Sequence, residues 1–224
     1  MNHQEITLEH GHFYHIYNRG INGTNLFFEE RNYDYFLLKY GFYLNDVVDT
    51  YAYCLLGNHF HLLIRVKDQF VLKQPLSNLT GLQDLSGLNN QDLSGLERKG
   101  LHTPDKIVSK QFADLFNCYT KSINKSQFRT GGLFETPFKR IIVNDDKYFT
   151  QLILYIHANP EKHGFIDDFR DYKHSSYHSH LSGMPTKLSR QQVLEWFGDE
   201  SKYREFHKTS DIVTKDFNHL IIEV

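Results

Sequence analysis

Tyr53-Cys-Leu-Leu-Gly-Asn-His-Phe-His-Leu-Leu-Ile-Arg-Val66 is a pair of apolar runs on either side of a Gly57-Asn58 break. The break predicts a tight connection. The runs predict two antiparallel strands, Thr50 to Leu56 and His59 to Val66. Side chains two apart on a strand share a face. His59 and His61 therefore stand side by side on one face, while Phe60, Leu62 and Ile64 fill the other. Paired imidazoles are one way to offer two nitrogen ligands to a divalent metal. Ordinary sheet histidines are the competing reading.

Upstream, His12-Phe-Tyr-His-Ile-Tyr-Asn18 alternates and reads as a first strand, ended by Arg19-Gly20 and Asn22-Gly23. From Arg31 to Leu44, Tyr35, Phe36, Leu38 and Phe42 recur at helical spacing. Downstream, Asp105 to Ser126 reads as a helix with Phe112, Phe116, Tyr119 and Ile123 on its apolar face. After the turn Arg129-Thr-Gly-Gly132, Phe138 to Val143 is a fourth strand. Asn144 or Asp145 caps a further helix, expected to stop near Asn159 at Pro160.

The order strand, helix, strand, strand, helix, strand, helix matches an α+β, ferredoxin-like split βαβ sandwich: a four-stranded antiparallel sheet with two helices on one face. The last helix would lie across or beside that layer, and carry Tyr155 toward the third strand. Ser189 could cap a helix through Phe197, and Lys202 to His207 adds a turn. The expected organisation is a catalytic domain over 1–170 and a helical C-terminal extension over 171–224. Between about 71 and 103, Gln83-Asp-Leu-Ser-Gly-Leu88 recurs as Gln91-Asp-Leu-Ser-Gly-Leu96. Two short copies do not make a solenoid, so this reads as a surface insertion.

The 224 residues suffice for one core. A hydrophobic share of 40% with 23% charged residues describes a soluble globular protein, with no run long enough to span a bilayer. No secretory signal pattern opens the chain, and the two cysteines, Cys54 and Cys118, read as thiols of a reducing cytoplasm. The net charge of -2 argues mildly against nucleic-acid binding, but Lys121, Lys125, Arg129, Lys139 and Arg140 cluster against Glu135 alone. Such a patch is able to hold a phosphate backbone; a solvated basic face is the bland alternative.

In Tyr155-Ile-His-Ala-Asn159, a phenol and a carboxamide four apart share a helical face. Among 14 tyrosines, Tyr119 is the rival nucleophile, but it falls on an apolar face and reads as core. His157 points off the Tyr155 face.

Several blocks carry a family resemblance: Tyr14-His-Ile-Tyr-Asn-Arg-Gly20, Ala52-Tyr-Cys-Leu-Leu-Gly-Asn-His-Phe-His-Leu63, Gly132-Leu-Phe-Glu135, Tyr155-Ile-His-Ala-Asn-Pro-Glu-Lys-His-Gly164 and Ser175-Ser-Tyr177. Together they resemble the REP-associated tyrosine transposases, within the HUH single-tyrosine transposase superfamily. The resemblance spans residues 10 to 70 and 105 to 180, without the repeat segment. It implies nicking and rejoining of single-stranded DNA beside hairpins through a 5′-phosphotyrosine. It places the nucleophile at Tyr155 and the metal ligands at His59, His61 and Asn159, for Mg2+ or Mn2+. Lys139, Arg140, Arg129, Lys125 and Lys121 are the expected phosphate contacts, with Asn18 and Arg19 beside them. The expected partner is single-stranded DNA with hairpin or palindromic ends, and the expected setting is the bacterial cytoplasm, nucleoid-associated when DNA is bound. Monomer and homodimer stay open. The competing function is a catalytically silent hairpin-binding module on the same sheet. A metal-dependent hydrolase would need a carboxylate base that the histidine strand lacks.

Overall fold

The computed structural model describes residues 6–70 and 103–208. The repeat segment and the chain beyond 208 lie outside the described residues. The elements are β1 (Phe13–Arg19), α1 (Glu30–Leu44), β2 (Val48–Leu56), β3 (His59–Val66), α2 (Pro104–Ser126), β4 (Lys139–Val143), α3 (Asp146–Lys162), α4 (Tyr177–Leu181), α5 (Arg190–Phe197) and α6 (Glu200–Phe206). The sheet order is β2-β3-β1-β4, antiparallel throughout, which is the split βαβ arrangement.

The helix starts follow local chemistry. Asn32 accepts from the Glu29 N–H at 3.0 Å, half of a capping box at the head of α1. Pro104 opens α2 behind Thr103, where a missing N–H costs nothing. Asp145, not Asn144, caps α3 by accepting from the Tyr148 N–H at 2.9 Å.

Both sheet faces are covered. Phe60, Leu62 and Ile64 point into a core with Phe36 and Tyr40 of α1 and Phe112, Phe116 and Tyr119 of α2. Tyr119 is fully buried there and donates to the Leu26 carbonyl at 2.8 Å. The opposite face, with Ala52, Cys54 and Leu63, packs against α3. The third long helix thus lies on the far side of the sheet from α1 and α2.

Every residue of α3 from Leu152 to Pro160 is buried. A helix apolar all round needs cover on every side. Sheet residues supply one side; Tyr177, Val193 and Tyr203 from α4, α5 and α6 supply the other. The segments after 170 therefore share a core with α3. They also cover the β2 edge: the Leu55 N–H donates to His174, Ser176 donates to Tyr53 and Ser189 to Thr50, each at 2.9 Å.

Pro160 does not end α3, which continues to Lys162. The His163 N–H still closes on the Asn159 carbonyl at 3.0 Å. Ser189 precedes α5 but makes no side-chain cap.

Candidate active site

His59 and His61 project from β3 on the face that α3 covers, and their rings meet at 5.3 Å, edge to face. Opposite them on β1, register puts His15 and Tyr17 on the same face: Tyr17 pairs with His61, and His15 with Leu63. The Tyr17 and His61 rings lie 5.8 Å apart. Tyr155, midway along α3, places its ring 5.6 Å from His61 and 6.1 Å from His15. One helical turn later, Asn159 folds its Nδ2 back onto the Tyr155 carbonyl at 2.8 Å. His163 follows and sets its ring 5.0 Å from His59. The sequence thus brings Tyr155, His59, His61 and Asn159 into one neighbourhood of a single chain. All four are nearly sealed, at 4%, 4%, 1% and 0% exposure.

Burial dominates the electrostatics of these side chains. Burial lowers the His59 pKa to about 4 and the His61 pKa well below its ordinary value. Neighbouring imidazoles push His61 the same way. Both rings stay uncharged near neutrality, the form that donates a lone pair. Burial raises the Tyr155 phenol, and the Asn159 amide partly offsets this. The Lys162 ammonium sits 5.3 Å from the Tyr155 ring centroid.

Among the buried atoms of the described residues that have no protein partner are His59 Nε2, His61 Nε2 and Asn159 Oδ1. Buried polar atoms ordinarily find one. Each of these belongs to a residue expected to ligate metal. A neutral nitrogen-and-oxygen set of this kind fits a divalent cation and leaves its charge undiminished for an anionic substrate.

The expected phosphate contacts fare unequally. Lys139 is exposed and pairs with Tyr17, so it stands on the histidine face at the β4 edge. Arg140, its neighbour, turns to the other face. It makes a 2.6 Å ion pair with Asp105 of α2 and lies over the Phe138 ring, with 10% of its side chain exposed. Arg140 thus ties β4 to α2. Lys121 and Lys125 are exposed on α2, in the layer opposite the histidines. Arg129 donates to the Gly132 carbonyl at 3.1 Å, in the loop bridged to Gly20. Arg19 pairs with Glu135 at 2.7 Å, beside His59 on β1. Asn18 is buried and donates to the Glu135 carbonyl at 3.1 Å, so it holds that loop rather than facing outward.

Sequence reasoning passed over His15, Tyr17 and His163. Strand alternation from His15 to Tyr17 was the available signal; only the β1–β3 register shows that both face His61. His157 does point away from Tyr155. It is buried against α6 and the α4 approach, bonded to His207 at 3.0 Å and Ser176 at 2.8 Å.

No protein-family model matches the chain. A Haemophilus influenzae protein assigned as a REP-associated tyrosine transposase is 25% identical over 130 residues, which is 58% of this chain. The match spans 59% of that relative's length. A solved structure of a REP-associated tyrosine transposase bound to a REP hairpin aligns with a TM-score of 0.50 at 14% identity, over 84% of this chain and 89% of that one. Both the relative in sequence and the neighbour in fold carry the name of the family that the motifs resemble. No helix of the described residues is long and apolar enough to cross a membrane.

Proposed function

We propose that this chain is a transposase of the REP-associated tyrosine type, which nicks and rejoins single-stranded DNA beside a hairpin with Tyr155 as nucleophile. One observation carries the reading. The Tyr155 ring meets His61, which meets His59, and Asn159 follows one helical turn later; one atom of each of these three residues is buried and unmatched. The structural neighbour's hairpin supports the substrate class.

His59, His61 and Asn159 would hold Mg2+ or Mn2+. When bound, such an ion neutralises charge on a phosphate oxygen. The chain's own residues do the remainder. Tyr155 Oη bonds to phosphorus as the bond to the 3′ oxygen breaks. The phenol loses its proton and the leaving oxygen gains one. The products are a 5′-phosphotyrosine and a free 3′-hydroxyl. Each step exchanges one phosphate ester for another, so a later hydroxyl can reverse it without a nucleotide cofactor. The covering of α3 by α4, α5 and α6 fixes the helix that carries Tyr155. Lys139 supplies positive charge on the same face.

The near-complete burial of Tyr155 favours a second reading, a silent hairpin-binding module in which this tyrosine is packing. A labelled single-stranded hairpin with Mn2+ separates the two. Transposition chemistry gives a covalent adduct that survives denaturation in the native chain and is missing in Tyr155→Phe. Hairpin binding without adduct in the native chain leaves only the second reading.

A further inference from the structure

His15 lies on β1 at 2% exposure, and its Nε2 meets His61 Nδ1 at 2.9 Å. The two rings are nearly parallel, at 26°. A neutral imidazole carries one proton, so one of these nitrogens donates and the other accepts. If His61 donates, its Nε2 is a bare lone pair. If His15 donates, His61 Nε2 carries the hydrogen and repels a cation. Either way one buried N–H stays unmatched, at His15 Nδ1 or at His61 Nε2, since neither atom has a protein partner. The protein alone does not break this tie. A cation beside His61 Nε2 does, because only the lone pair can bind it.

The neighbouring ring is arranged the same way. His59 Nδ1 meets Asn58 Oδ1 at 2.7 Å. A carboxamide oxygen only accepts, so His59 Nδ1 donates and Nε2 is the lone pair. Asn58 backs His59 as His15 backs His61. His15 itself does not complete a ligand cage: among the described residues, no three His, Cys, Asp or Glu side chains gather as a metal site. Its place is behind the ligand.

We propose that His15 is a positioning residue that accepts the His61 Nδ1 proton and so fixes His61 Nε2 as the lone pair presented to a divalent cation. This rests on the reading of His61 as a ligand. Outer-shell acceptors of this kind orient the ring and raise its basicity, and their loss typically costs about 10–100-fold in metal affinity.

The test uses the full chain with Mn2+ alone, by titration calorimetry, and with diamagnetic Mg2+ bound, where imidazole 15N NMR reads the His61 tautomer. In the native chain with Mg2+ His61 carries its proton on Nδ1. His15→Phe, which keeps an aromatic ring but no acceptor, binds Mn2+ about 10–100-fold more weakly and loses that tautomer. His15→Gln, whose amide oxygen accepts, recovers most of the affinity. Unchanged Mn2+ affinity in His15→Phe beside lost binding in His61→Ala overturns the role of His15 alone. Unchanged Mn2+ binding in His61→Ala overturns the ligand reading itself, and this inference with it.

Discussion

The Tyr155 ring meets the His61 ring at 5.6 Å, edge-on at 78°, with the tyrosine on α3 and the histidine on β3 of the same chain. α3 packs on its own sheet through Phe149, Ile153 and Ile156 in one apolar cluster with Ala52, Cys54 and Leu63. α4 to α6 close over its other side. Under the proposed function, the nucleophile and the imidazoles therefore work within one protomer.

That arrangement has a direct consequence for mixed variants. Tyr155→Phe and His61→Ala are each expected to form no covalent adduct. Mixing the two purified variants is expected to restore none, because neither protomer then holds a complete site. Recovery of adduct on mixing, read on a denaturing gel, would show that the helix is exchanged.

Metal should stabilise the fold through the three unmatched atoms. A ligand at about 100 times its dissociation constant adds about 2.7 kcal/mol to the native state. Thermal unfolding in rising Mn2+ is expected to move upward in the native chain. In His59→Ala and in Asn159→Ala the same titration is expected to give a much smaller shift. A native chain whose midpoint ignores Mn2+ contradicts the ligand set.

Acid should destabilise the metal-free protein early. Burial depresses His15 and His180 to about 3, and His59 and His207 to about 4. Unfolded, each returns to about 6.5. The unfolded chain thus binds more protons below that value, and stability falls as pH drops from about 6.5 toward 4. Each such group contributes up to about 1.4 kcal/mol per pH unit within that window. Urea unfolding at pH 7.5 and 5.5 checks this: the midpoint is expected to be clearly lower at 5.5 and flat between 7 and 8.

The sheet was legible because β2 and β3 announce themselves by alternation and a two-residue break. The pairing of His59 with His61 follows from that period alone. The side of the sheet taken by α3 was not legible. Its run from Leu152 to Asn159 is apolar all round, which signals burial but not against what. The C-terminal helices that complete the burial have short, weak periodicity. His15 and Tyr17 were hidden for another reason. Both sit in an aromatic strand, and only the β1–β3 register makes them neighbours of His61. Charge alone did not show the ion pairs: Arg19 and Arg140 each have a carboxylate within 2.7 Å, from a residue far away in sequence.

Gly20 is required for space rather than for an unusual φ, which is -70°. A Cβ there would lie 1.8 Å from the Thr24 carbonyl oxygen, on backbone that cannot swing aside. The Gly20 N–H also donates to Asn58 at 2.8 Å, next to His59. Gly20→Ala is expected to cost about 1–3 kcal/mol, the range for forced overpacking. It should also weaken Mn2+ binding, because Asn58 moves with it. Equal urea midpoints for the variant and the native chain would contradict the clash.

Lys139 and Arg140 are adjacent in sequence and opposed in space, which gives a sharp contrast. Lys139 is exposed on the histidine face, where a phosphate contact releases counterions. Lys139→Met is therefore expected to weaken hairpin binding and lower the slope of log affinity against log salt by about 0.7–0.9, the share of one contact. Its stability should barely change. Arg140 is tied to Asp105 and Ser109 and shielded by Phe138. Arg140→Met leaves the Asp105 carboxylate with only the Leu8 N–H, so stability falls while the salt slope stays as in the native chain. Fluorescence anisotropy with a labelled hairpin at several salt concentrations, run beside urea unfolding, reads both. A reduced slope in Arg140→Met would mean that its ion pair opens to take the backbone, and the face assignment of the two residues would have to be exchanged.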